Sequence, residues 1–125
     1  KSYLDFGAFQ PLQIACAFSL NRDDLNLDEV RATYQSRSSV LSAGLLELGF
    51  ELKQPPGGML LWARIPKAHR GRGSIAFSHH LLEEAHVATS PGAGFDPLTD
   101  DTLRFSLGES EARMRKAVQQ MKRCL

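Results

Sequence analysis

Residues 102–107 read TLRFSL, a run in which apolar and polar side chains alternate. Alternation with a period of two is typical of a β-strand that has one buried face. Leu103, Phe105 and Leu107 share one face of the predicted strand, and Arg104 points to the opposite face. An apolar strand face needs a covering layer, so we predict a sheet packed against helices with Arg104 away from the core.

The rest of the sequence alternates between helical and extended patterns. From Leu27 to Leu48 apolar residues recur at helical spacing and Gly49 follows, which predicts a helix of about 22 residues. The run at 12–20 is apolar all round, so we expect a helix that is buried on most sides. Further strands are predicted at 50–54, 59–65 and 87–90, and further helices at 74–85, capped by Ser74, and at 109–125. This order predicts the α+β class, a small mixed or antiparallel sheet covered by helices.

Composition restricts the classes of function. The chain has 125 residues and a formal net charge of +1, which argues against a dedicated electrostatic binder of nucleic acid. No apolar run approaches the length of a membrane span. Cys16 and Cys124 are far apart and lack metal-type spacing, so we interpret them as reduced thiols of a cytoplasmic protein. The sequence leaves a bridge between them open.

Four stretches match the pattern of one enzyme family in that family's order. They read KSYLDFGAFQPLQ at 1–13, GGMLLWARIP at 57–66, VATSPGAGF at 87–95 and LRFSL at 103–107. Together they resemble the class I/II aminotransferases of the aspartate-aminotransferase fold (fold-type I), and especially the alanine-type transaminases. The resemblance spans nearly the whole chain. Within the pattern, Asp96 and Pro97 stand where many relatives have glycine, and Phe6 stands where tyrosine is frequent.

The resemblance implies a pyridoxal-phosphate-dependent transferase that moves an amino group between an amino acid, such as alanine or glutamate, and a 2-oxo acid. In the family a lysine in a serine-x-x-lysine context forms the Schiff base upstream of the matched region. Lys1 does not stand in that context, so the resemblance implies a fragment without the catalytic lysine, inactive alone. It also implies that residues 1–25 end an incomplete large cofactor-binding domain, 26–49 form a long interdomain helix, and 50–125 form the C-terminal small domain.

The resemblance assigns one substrate-binding residue and one contact between subunits. Arg104 matches the arginine whose guanidinium fork binds the α-carboxylate of the substrate. The turn formed by Asp5, Phe6, Gly7 and Ala8 matches a segment that reaches the neighbouring subunit's active site in a homodimer. Without the resemblance, Arg104 would be read as an ordinary exposed strand arginine, and the turn as a loop before a helix.

Other motifs are explained more simply by structure. The glycines at 91–94 lack the spacing and the following helix of a phosphate site, and we interpret them as a turn that needs glycine conformations. His79 and His80 face different directions on a helix, which is unfavourable for sharing one metal ion, and we interpret them as a solvated pair. Trp62 and Met59 are interpreted as core or hairpin packing rather than as a cofactor site. The competing functional hypothesis is a free-standing α+β module that binds a ligand or dimerises without catalysis.

Overall fold

A computed structural model describes residues 7–22, 24–25 and 27–125. The chain divides into two compact units, residues 1–30 and 31–125. The first unit contains helix α1 (Gln10–Leu20), and helix α2 (Leu27–Glu47) begins in it and continues into the second unit. The second unit also contains β1 (Leu60–Arg64), α3 (Gly73–Ala85), β2 (Ser90–Pro91), β3 (Thr102–Ser106) and α4 (Glu111–Met121). Among the described residues, no helix is both long enough and apolar enough to cross a membrane.

The predicted α+β class is confirmed by a three-stranded antiparallel sheet with the order β1-β3-β2. Strand β3 lies in the centre and pairs with both of its neighbours. Arg104 is directly opposite Trp62 of β1 and directly opposite Ser90 of β2. One residue of β3 therefore has a cross-strand partner on each side, and both partners come from distant parts of the chain.

The core lies on the face of the sheet that the alternation in β3 predicts. Leu103 and Phe105 of β3 are buried there, together with Leu61 and Ala63 of β1. Helices α2, α3 and α4 supply the layer that covers this face. Their buried core side chains are Leu41, Leu45, Phe77, Leu81, Ala85, Met114 and Met121. Burial of these side chains is the main favourable contribution to the stability of the unit.

A glycine allows two of these helices to approach closely. A Cβ built at Gly44 of α2 would lie 2.6 Å from Cγ2 of Val118 in α4. Carbon atoms do not pack that closely, so a larger residue at this position would push the helices apart. The two helices are therefore in close contact at this point.

The strand predicted at 50–54 is reduced to a single bridge between Glu51 and Arg64. Pro55 and Pro56 follow directly and have no backbone N–H to donate to a neighbouring strand. The sheet therefore has three strands rather than the four that the sequence predicts.

The strand predicted at 87–90 is shifted and consists of Ser90 and Pro91 alone. The preceding residues are used to end helix α3. His86 adopts a left-handed conformation with φ 55°, and the N–H of Val87 donates to the carbonyl of Leu81 at 3.1 Å. This is the pattern of a helix C-cap, and it removes residue 87 from the sheet.

The start of helix α3 also differs from the prediction. Ser74 lies inside the helix, and the side chain of the N-cap residue Arg72 makes no capping hydrogen bond. The carboxylate of Asp100 accepts hydrogen bonds from both the backbone N–H and the hydroxyl of Ser74, each at 2.8 Å. A carboxylate from a distant loop thus accepts a hydrogen bond from the free N–H at the start of the helix. A sequence pattern confined to residues 71–77 does not reveal this contact.

No residue of helix α1 is buried. The described chain by itself therefore does not supply the cover that the sequence predicts for this apolar helix. The large apolar side chains exposed in and next to α1 are Phe9, Leu12, Ile14, Phe18 and Leu20, each at 62% or more.

Candidate functional site at Arg104

Arg104 projects from the centre of β3 on the face opposite the core, as the alternation predicts. Its cross-strand neighbours on this face, Trp62 and Ser90, are exposed and half-buried, respectively. Leu103 and Phe105, which point into the core, are 0% and 5% exposed. The guanidinium borders a depression of about 190 Å³. The other lining residues are Leu60, Ala88, Thr89, Ser90 and Ser106. A space of this volume accommodates one functional group of a ligand rather than a whole drug-sized molecule.

The hydrogen bonding of Arg104 is incomplete. One terminal nitrogen donates to the hydroxyl of Ser90 at 3.3 Å, and the Nε atom is buried with no hydrogen-bond partner. Within residues 7–22, 24–25 and 27–125, no carboxylate pairs with this guanidinium. A buried, unsatisfied N–H on a charged group is costly. Arg104 therefore presents unused donors at a partly buried position.

Two aromatic side chains lie beside Arg104 on the open face. The guanidinium carbon is 4.5 Å from the ring centroid of Phe95, and the Trp62 and Phe95 rings meet edge to face at 5.3 Å. Trp62 and Phe95 are 42% and 54% exposed. The interpretation of Trp62 as core packing is therefore wrong, and hairpin packing is an incomplete description, because the ring packs on Phe95 at the site. The alternation of β1 already places it on the Arg104 face.

In the turn at 91–94, Gly92 is required because neighbouring atoms leave no room for a side chain, and not because its backbone angles are restricted to glycine. The φ of Gly92 lies outside the left-handed region, which corrects the prediction from sequence. A Cβ built at Gly92 would lie 2.0 Å from the carbonyl oxygen of Thr99 and 2.4 Å from the hydroxyl of Thr102. The loop that carries Phe95 is thus folded tightly against the segment leading into β3.

A polar network holds this loop against helix α3. The Ser74 hydroxyl donates to Asp100 and accepts from the N–H of Ala93 at 3.1 Å. Hydrogen bonds from the Ser74 hydroxyl and backbone N–H hold the pKa of the Asp100 carboxyl below its usual value. Asp100 is therefore charged at neutral pH and bound to the helix terminus.

Some predicted contact residues are not described by the structure. Asp5 and Phe6 lie outside the described residues. Gly7 has φ 98°, and the carbonyl of Ala8 accepts a hydrogen bond from Nε2 of Gln13 at 2.5 Å. Gly7 and Ala8 belong to the first unit, and their contact with a partner subunit stays a prediction.

The histidines and cysteines occupy separate structural positions. Nε2 of His80 is 3.2 Å from the carbonyl oxygen of Cys124, whereas His79 is exposed. Cys16 and Cys124 are both free, and burial raises the pKa of the Cys124 thiol. In the part of the chain that the structure describes, no group of three or more metal-binding side chains comes together.

The Arg104 face fits a carboxylate better than it fits a pyridoxal phosphate cofactor. Covalent attachment of this cofactor needs a lysine amine, and none of the described lysines lines the depression. The described lysines are Lys53, Lys67, Lys116 and Lys122. The residues present thus do not hold the cofactor by themselves, whereas the guanidinium of Arg104 at the edge of the depression suits an anion with two oxygens.

Comparisons with known proteins identify the family of the chain. The chain is 46% identical over its full length to AatC of Rhizobium meliloti, a protein named as a putative aminotransferase, and covers 31% of that protein. It is 39% identical to the glutamate-pyruvate aminotransferase AlaC of Escherichia coli, over 98% of this chain and 30% of the relative. Among solved structures, the aromatic aminotransferase of Pyrococcus horikoshii superposes with a TM-score of 0.78 at 28% identity. That match covers 89% of this chain and 30% of the other.

These matches concern one part of each relative, because the chain spans about 30% of the length of the relatives it matches. The family model described as aminotransferase class I and II matches residues 4–121, which is nearly the whole chain. Both the fold and the sequence point to the same enzymes. The chain therefore belongs to the family of class I and II aminotransferases.

Proposed function

We propose that this chain supplies the substrate-carboxylate site of a pyridoxal-phosphate-dependent aminotransferase, with Arg104 as the carboxylate-binding residue. The observation that carries the proposal is that Arg104 lines an open depression while its guanidinium pairs with no carboxylate of the described residues. A guanidinium binds both oxygens of a carboxylate through two parallel N–H donors. The α-carboxylate is common to amino acids and 2-oxo acids, so one residue serves both substrates of the reaction.

The surroundings of Arg104 favour a carboxylate ligand. Ser90 fixes one terminal nitrogen without neutralising the charge, because its hydroxyl is uncharged. β3 fixes the base of the side chain through pairing on both sides. Charged hydrogen bonds are strongest in partly shielded surroundings, where water competes less for the donors.

The remaining assignments follow from the family. Residues 50–125 would form the small domain, 26–49 the interdomain helix and 1–25 the end of the large domain. Pyridoxal phosphate, which supplies the electron sink, would be bound mostly by residues outside this chain. Alanine and glutamate are proposed as amino donors, and the glutamate-pyruvate aminotransferase AlaC supports this choice. The cytoplasmic location stays a prediction.

The first experiment tests whether this chain catalyses anything alone. After incubation with pyridoxal phosphate and removal of the excess, we expect no stoichiometric cofactor absorbance and no amino transfer from alanine to 2-oxoglutarate. The reason is that no described lysine lies at the Arg104 face. Absorption spectra and a coupled assay measure both quantities.

The Escherichia coli glutamate-pyruvate aminotransferase AlaC serves as the positive control in the same assay. Stoichiometric cofactor attachment at a single lysine of this chain, accompanied by turnover, would show that the assignment as a partial site is wrong. Binding of a ligand without an α-carboxylate at the same face would instead favour a non-catalytic binding module.

We also propose that the chain forms a homodimer through helix α1. The helix exposes large apolar side chains, and Phe18 and Ile14 are each 62% exposed. Exposed apolar patches promote association. Light scattering should therefore show a dimer whose mass falls to that of the monomer when Ile14→Glu and Phe18→Glu are combined. A monomeric wild-type chain at high concentration would contradict this proposal.

A further inference from the structure

The side chain of Arg104 is held at three points, and only one of them uses a guanidinium donor. β3 fixes the backbone, Ser90 accepts from one terminal nitrogen, and the ring of Phe95 lies 4.5 Å from the guanidinium carbon. Attraction between a cation and an aromatic face acts on the charge and requires no acceptor atom. An acidic partner would also hold the side chain, but it would occupy the donors that a substrate carboxylate needs.

Phe95 is itself supported from two directions. The Trp62 ring meets it edge to face at 5.3 Å, a favourable arrangement for an aromatic pair. The N–H groups of Phe95 and Asp96 both donate to the carbonyl of Gly92, at 2.8 and 3.2 Å. The loop that carries Phe95 is thus fixed at its start, and the ring has a defined position over Arg104.

Exposure shows that Phe95 does not serve the core. Its side chain is 54% exposed, and it is absent from the buried cluster that α2, α3 and α4 cover. Within the described structure its ring contacts are with Trp62 and Arg104. A half-exposed aromatic side chain over a cation contributes little to burial, so its position points to a role at Arg104.

We propose that Phe95 is a positioning residue, whose ring, backed by Trp62, orients the Arg104 guanidinium for an α-carboxylate without consuming its donors. This inference rests on the proposed function of Arg104. It adds a residue that touches Arg104 rather than the substrate, so its removal weakens carboxylate binding while Arg104 and its charge remain.

The test uses NMR of the ¹⁵N-labelled 125-residue chain and the Nε–Hε signal of Arg104, assigned by its loss in Arg104→Lys. Pyruvate is the titrated probe. The variant Phe95→Leu keeps an apolar side chain and removes the aromatic face, and we expect the Kd for pyruvate to rise by about two- to fivefold. Phe95→Tyr restores the aromatic face and should return the Kd to the wild-type value.

Leu98→Ala is the matched control, because Leu98 lies in the same loop and is 90% exposed. It should leave both the Kd and the Arg104 signal unchanged. A Kd that is equal in the wild type and Phe95→Leu, or a Phe95→Tyr variant as weak as Phe95→Leu, would overturn the positioning role while the function of Arg104 stands.

A second measurement requires no probe. Without pyruvate, Phe95→Leu should shift the Nε–Hε signal of Arg104, since the ring current is lost, and should lower its heteronuclear NOE as the side chain gains motion. If pyruvate does not shift the Nε–Hε signal of Arg104 in the wild type, the proposed function is wrong. The measurement without pyruvate then tests the positioning role of Phe95 by itself. An unchanged signal with an unchanged NOE would then overturn the positioning role.

Discussion

Replacing Arg104 by Lys is expected to lower kcat/KM for every amino donor by roughly 30- to several-thousand-fold in an aminotransferase that contains this segment. Lysine keeps the charge but loses the planar fork that binds two oxygens. Loss of a charged hydrogen-bonded pair in shielded surroundings costs about 2–5 kcal/mol, and about 1.36 kcal/mol corresponds to a factor of ten in rate. The loss should extend over all donors, because the α-carboxylate is common to them. Steady-state kinetics with several amino acids measures it.

Arg115→Lys is the control for this substitution. Arg115 lies on α4 and forms an exposed ion pair with Glu111 at 3.3 Å, which lysine can also make. Such helix pairs contribute about 0.3–0.5 kcal/mol, so kcat/KM should hardly change. If kcat/KM of Arg104→Lys stays within about twofold of the wild type (under ~0.5 kcal/mol), Arg104 does not bind the substrate carboxylate.

Gly92→Ala is expected to destabilise the chain by about 1–3 kcal/mol and to lower the melting temperature by roughly 5–15 °C. The added Cβ would lie 2.0 Å from the carbonyl oxygen of Thr99, a backbone atom that does not move independently of its loop. Relief of the overlap requires the loop to move away from β3. Because this loop carries Phe95, the variant should also disturb the signal of Arg104. Calorimetry measures the change in stability.

Gly94→Ala provides a matched control two residues further along the same loop. A Cβ built at Gly94 meets no atom within 4 Å, and the φ of Gly94 lies outside the left-handed region. This substitution should be neutral or slightly stabilising, since alanine restricts the unfolded chain. If Gly92→Ala has the same melting temperature as Gly94→Ala, the close approach at Gly92 does not constrain the loop.

Local periodicity was sufficient to predict the strand that carries Arg104 and the long helix of the core. The alternation in β3 placed Arg104 opposite the core, and helical spacing predicted α2 to within two residues of its observed bounds, Leu27–Glu47. Both patterns depend on neighbours a few residues apart, which a single sequence displays directly. The carboxylate role of Arg104 came from the family resemblance rather than from the pattern.

The contacts around Arg104 could not be predicted in the same way, because they join distant segments. Trp62 faces Arg104 because β1 pairs with β3, and more than 35 residues separate these two strands in the sequence. Phe95 reaches the guanidinium because Gly92 packs against Thr99. Asp100 caps a helix that starts 27 residues earlier, at Gly73. Register and loop packing are tertiary properties, and local propensity does not encode them.

A structure of the enzyme with a bound amino acid or 2-oxo acid tests the central claim most directly. We predict that both oxygens of the α-carboxylate lie about 2.7–2.9 Å from two nitrogens of the Arg104 guanidinium. A carboxylate held by another cation, with the Arg104 guanidinium beyond hydrogen-bond distance, would contradict the account.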